Sequence, residues 1–153
     1  LYLDRHEDLT HALACLRELI SFVVLSFIVV IFVISCIRLK LRLGLLATVF
    51  SILALTTALT ALAFSGLQLN LFSQLALILV LGIGINYAIF FTNNKEIEKV
   101  SLVAIATALL TTLLTIGILI FSSVAAIQGF AIVLSTGIIT AFLLATILKN
   151  YAK

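Results

Sequence analysis

Five long apolar runs separated by short polar stretches organise this chain, at residues 19–37, 43–65, 71–91, 100–121 and 125–148. Each reaches the ~18 residues that a helix needs to cross a bilayer. A helix pairs all of its own backbone groups, which hydrocarbon otherwise leaves without partners. The pattern therefore predicts an all-α membrane protein, a bundle of five transmembrane helices over residues 19–153. No Asp, Glu, Lys, Arg or His falls inside any of the five spans.

Residues 1–18 read differently, as an extracytoplasmic juxtamembrane segment. Asp4 and Glu7 have the spacing of a capping box, and Leu9, Leu13, Leu16 and Ile20 then share one face of an amphipathic helix. Glu7, His11 and Cys15 share another face, a spacing that could hold a metal ion. A closed site needs a fourth ligand and a supporting shell, so a solvated polar face is the expectation, with no metal and no cofactor. Cys15 and Cys36 would stand roughly 31 Å apart on a helix, too far for a disulfide.

Composition narrows the function classes. With 64% hydrophobic and 10% charged residues among 153, the chain has too little polar surface for a soluble domain. No cluster of nucleophile, base or metal ligands is present, so enzymatic catalysis is not expected. The sequence lacks an initiator Met and has an odd number of spans, which together point to a piece of a longer polypeptide. Charge reports topology. Arg38, Lys40, Arg42, Lys95, Lys99, Lys149 and Lys153, seven of the nine basic residues, fall after spans one, three and five. By the positive-inside rule the N-terminus is outside and the C-terminus cytoplasmic. The +3 net charge forms no basic stripe, and no nucleic-acid partner is expected.

Polar and small residues inside the spans carry what chemistry there is. Span three holds Asn86 and Tyr87, costly to bury in hydrocarbon without partners, together with Gly82 and Gly84. The two glycines lack the third glycine and the strand-to-helix context of a nucleotide loop, so close helix packing is their expected role. Gly137, Ala141 and Ala145 in span five, and Thr57, Ala61 and Ser65 in span two, form further small-residue stripes. Span four carries Thr107, Thr111 and Thr115 on one face. Asn86 lies roughly 9 Å from the cytoplasmic end of span three, and the same distance along span four reaches Thr107. Spans three and four are therefore expected to pack together, with Thr107 or Thr111 facing Asn86 or Tyr87.

The run LNLF followed by LxLVLGIGIxYAIFF resembles the fourth helix of each half of the resistance-nodulation-division (RND) superfamily. It is most similar to the MMPL-type exporters of hydrophobic molecules and lipids, and TTLLTIGILIFSS is similar to their fifth helix. The resemblance runs from Asp4 to Leu148. It implies helices two to six of one half of a transporter in the bacterial cytoplasmic (inner) membrane. The implied partners are membrane lipids, a hydrophobic substrate, and the remaining half of the transporter or another copy. In that family an aspartate normally precedes the tyrosine and relays protons; here the position is Asn86, which cannot titrate, and Tyr87 alone is a poor substitute at a reference pKa of about 10. The alternative reading is a non-transporting lipid-binding or scaffold domain of sterol-sensing-like architecture.

Overall fold

The computed structural model describes residues 41–93 and 99–151, together with Cys15, Glu18, Leu19, Phe22, Val23, Leu25, Ser26, Ile28, Val29, Val30, Val33 and Ile37. The described residues of the first span are helical. Spans two to five form α1 (Leu41–Phe64), α2 (Leu71–Asn93), α3 (Lys99–Gly117) and α4 (Ala125–Tyr151), with a 3₁₀ turn over Ile118–Phe121. No strand occurs among the described residues. Four stretches are long and apolar enough to cross a membrane: Gly44–Phe64, Leu71–Phe91, Leu102–Phe121 and Ala125–Ile147. They match the spans expected from the apolar runs to within a residue or two, because helix length is set by bilayer thickness. The chain is a multi-pass membrane helix bundle. The juxtamembrane segment before Cys15 lies outside the described residues.

The connections are short and chemically marked. After α1 the chain turns at Gly66, whose φ of 70° is left-handed, and the Ser65 and Gly66 amides bond back to the carbonyls of Ala61 and Ala63. Glycine adopts that conformation without steric cost. Asn70 then caps α2: its Oδ1 accepts from the Ser73 amide at 2.9 Å and from the Ser73 hydroxyl at 3.1 Å. Past the 3₁₀ turn, Ser122 is extended, and its hydroxyl accepts from the Val124 amide just before α4 begins.

Packing centres on α4. It lies along α2 over the longest interface and along α1 over the next, while α1 and α2 close the third side. Helices that cross successively alternate in direction, so α2 and α4 run the same way with α3 as the crossover between them. The seam is built from small residues. Ala54, Ala58, Ala76 and Ala131 are fully buried, and a Cβ added at Gly137 would fall inside the van der Waals shell of Val80. Ile28 of the first span packs against this core.

One expected stripe on α1 faces elsewhere. Of Thr57, Ala61 and Ser65, the last is exposed and the other two only partly covered. The buried line of α1 runs instead through Ala47, Ser51, Ala54, Ala58 and Leu62. Both lines carry small residues, so composition alone did not choose the inward face. Thr57 still bridges helices: its hydroxyl lies 3.2 Å from that of Thr140 on α4.

Candidate functional site

The polar positions of α2 divide between two faces. Gly84 turns inward, where an added Cβ would lie 3.6 Å from Ala141 Cβ and 3.7 Å from Ser51 Oγ. Ala88, one turn on, is buried, as are Gly84, Gly137 and Ala141. Where Gly84, Ala88 and Ala141 meet Ala47, Phe50, Ser51 and Ala145 they leave a notch of about 10 Å³. That is the lower limit for one water and far below the size of a lipid. Tyr87 stands beside this seam, edge-on to Phe142 of α4 at 5.7 Å between ring centres and 80° between planes. Phe91, also edge-on to Phe142 at 5.9 Å, completes an aromatic cluster near the C-terminal end of α2. Such T-shaped pairs set positive ring edges against negative faces.

Asn86 and Gly82 lie on the opposite face. Asn86 is exposed, and its amide has no hydrogen-bond partner among the described residues. Gly82 is also exposed, with nothing within 4 Å of an added Cβ. The expected packing role therefore fails for Gly82 within this bundle. The expected pairing of spans three and four fails as well: α2 and α3 bring no Cα atoms within 8 Å of each other among the described residues. The three hydroxyls assigned to support Asn86 satisfy themselves. Thr107 donates to Val103 O at 2.8 Å, Thr111 to Ala108 O at 2.9 Å and Thr115 to Thr111 O at 2.9 Å. A hydroxyl on a helix can always reach a carbonyl three or four residues back, so a threonine in a span demands no partner.

Phe142 was the missed neighbour, and a signal for it existed. α2 and α4 run in the same direction, and Phe142 lies about as far from the C-terminal end of span five as Tyr87 does from that of span three. Depth matching against span four alone assumed that consecutive helices touch.

Two further polar atoms, Gln74 Oε1 and Ser135 Oγ, are buried without a partner among the described residues. Gln74 sits in the first turn of α2 beside the Asn70 cap. Of the three residues that could have held a metal, Cys15 is exposed and free, and Glu7 and His11 lie outside the described residues. With no Asp, Glu, Lys, Arg or His in the spans, what the arrangement offers is packing, one exposed amide and one phenol. No family model, curated protein or solved structure matches the chain.

Proposed function

We propose that this chain is one transmembrane half, or part of one, of an MMPL-type exporter of the RND superfamily. In this reading it helps move a lipid or another hydrophobic molecule out of the bacterial cytoplasmic membrane, with its N-terminus outside and its C-terminus cytoplasmic. The observation that carries the proposal is the run LNLF and LGIGINYAIFF, which resembles one specific helix of that family; Leu69 and Asn70 lead into the membrane-length helix α2 and the rest of the run lies within it. The order and spacing of the other spans, and the basic residues after spans one, three and five, support it. Asn86 stands at the proton-relay position with an amide that does not titrate. A carboxylate for coupling therefore comes from the remaining half of the transporter.

The absence of ionisable side chains from every span also favours the second reading, a lipid-binding or scaffold bundle of sterol-sensing-like architecture that transports nothing. Sequencing the gene upstream of the Leu1 codon separates the two. The exporter reading expects hundreds of further coding residues containing a G-x-G-x-D-Y span; a start codon close to Leu1 overturns it. Under either reading, the purified chain in liposomes should show no substrate-dependent proton flux, since proton relays through membranes use ionisable side chains at depth. Flux from the unaltered chain would assign a relay to Tyr87 or to a partner group.

A further inference from the structure

Charge is spread unevenly over the polar segments of this chain. Residues 1–18 carry two basic and four acidic residues, and the connection between α2 and α3 sets Lys95 and Lys99 against Glu96 and Glu98. Residues 38–42 and 149–153 carry Arg38, Lys40, Arg42, Lys149 and Lys153 with no acidic residue among them. The whole positive excess therefore resides where α1 begins and α4 ends.

The fold brings those two points together. α1 and α4 pack against each other and run in opposite directions, and Ala47 of α1 and Ala145 of α4 line the same notch. From there Arg42 lies five residues back along α1 and Lys149 four residues on along α4, which are about 7.5 Å and 6 Å in the same direction. No acidic residue occurs anywhere on either helix, and α1 adds the positive end of its dipole. Like charges gathered in this way repel, and a shared anion relieves them.

Depth says which anion. Arg42 stands two residues outside the membrane-length stretch Gly44–Phe64 and Lys149 two residues outside Ala125–Ile147, so both lie about 3 Å beyond the hydrocarbon, at the level of the lipid headgroups. Phospholipid phosphates are fixed at that level, whereas a soluble anion is not concentrated there. We infer that the α1–α4 end of the bundle binds the headgroup of an anionic phospholipid, selected by Arg42 and Lys149. A lipid with two phosphates, cardiolipin, suits two cations carried on two helices. The site does not rest on the exporter reading: a start codon beside Leu1 would leave it standing, and its failure would leave that reading standing.

Native mass spectrometry of the purified full chain tests it, from micelles holding equal amounts of cardiolipin and phosphatidylethanolamine. The unaltered chain should retain cardiolipin several-fold in preference. Arg42→Gln and Lys149→Gln should each lower that preference about fivefold, the worth of one basic residue near a membrane surface, while Arg42→Lys combined with Lys149→Arg should keep it. Lys95→Gln combined with Lys99→Gln removes two positive charges from the balanced connection at the same end of the bundle, and should change the preference by no more than about twofold, since charges beyond a Debye length are screened. No preference in the unaltered chain, or an equal loss from the Lys95 and Lys99 pair, would overturn the site. Displacement of cardiolipin by an equal concentration of inorganic pyrophosphate would overturn the lipid as its ligand.

Discussion

α3 and α4 are almost equally apolar, with mean hydropathies of 2.4 and 2.3 over their membrane-length parts, yet none of the first is buried in the bundle and 44% of the second is. What separates them is side-chain size on the face that meets a neighbour. α4 presents Gly129, Ala131, Gly137, Ala141 and Ala145, all buried, and this lets the backbones of α1 and α2 come close. α3 meets α4 through larger residues, among them Leu109 and Ile116, which reach the core cluster but stay partly exposed. Bulky seams hold helices apart and forfeit the dispersion contacts that drive association in lipid. Hydropathy thus says that a segment belongs in the membrane, and small residues on the facing line say which segments pack tightly there.

The sharpest way to break this contrast is to place bulk in the tight seam. Gly137→Leu should destabilise the bundle by about 3 kcal/mol or more, because overpacking without room to relax costs this much, and an added Cβ there already meets Val80. The same bulk placed on α3 at Ala108, which is exposed, should change stability by no more than about 0.5 kcal/mol. Unfolding in mixed micelles measures both. Gly137→Ala should cost less than Gly137→Leu, and Val80→Ala in the same chain should recover part of the loss. Equal effects at Gly137 and Ala108 would remove the distinction between the two helices.

A smaller effect concerns how α2 is started beneath the seam. Asn70 is its cap, with Oδ1 on both the amide and the hydroxyl of Ser73, and Gly129 of α4 packs against that pair: an added Cβ at Gly129 would lie 2.8 Å from Ser73 Oγ. Asn70→Ala should cost about 1 kcal/mol, typical for loss of an N-cap, and Asn70→Asp should keep most of the stability. Indifference to Asn70→Ala in the same unfolding assay would show that the cap is dispensable once α2 and α4 have packed.

How much of this was legible in the sequence follows from which constraints act locally. The span limits were legible, 71–91 for α2 and 125–148 against Ala125–Ile147 for α4, because bilayer thickness acts on each segment by itself. Which helices touch was not legible. Asn86 and Thr107 match in depth, but depth places residues in a plane and does not say which helices adjoin within it. The inward face of α1 was ambiguous for a related reason, since Ala47, Ser51 and Ala54 compete with Thr57 and Ala61 as small-residue lines. Only the neighbouring helices decide between them.

The smallest expected effect tests whether span threonines bind helices together or only themselves. Thr111 on α3 donates to Ala108 O at 2.9 Å and lies 3.1 Å from Thr107 O, both carbonyls of its own helix. Thr57 on α1 donates to Ala54 O at 2.9 Å and also lies 3.2 Å from the Thr140 hydroxyl on α4. Replacing each by valine keeps the shape and removes the hydroxyl. Thr111→Val should leave stability unchanged within the scatter of surface substitutions, about 0.5 kcal/mol. Thr57→Val should cost about 0.6 kcal/mol, the average for an interhelical hydrogen bond in a membrane. Because these magnitudes are close, the decisive reading is a double-mutant cycle with Thr140→Val. Coupling between positions 57 and 140, with none between 111 and 140, would separate a hydroxyl shared across a seam from one that serves only its own helix. Coupling at 111 would mean that α3 is held to α4 by more than its leucines and isoleucines.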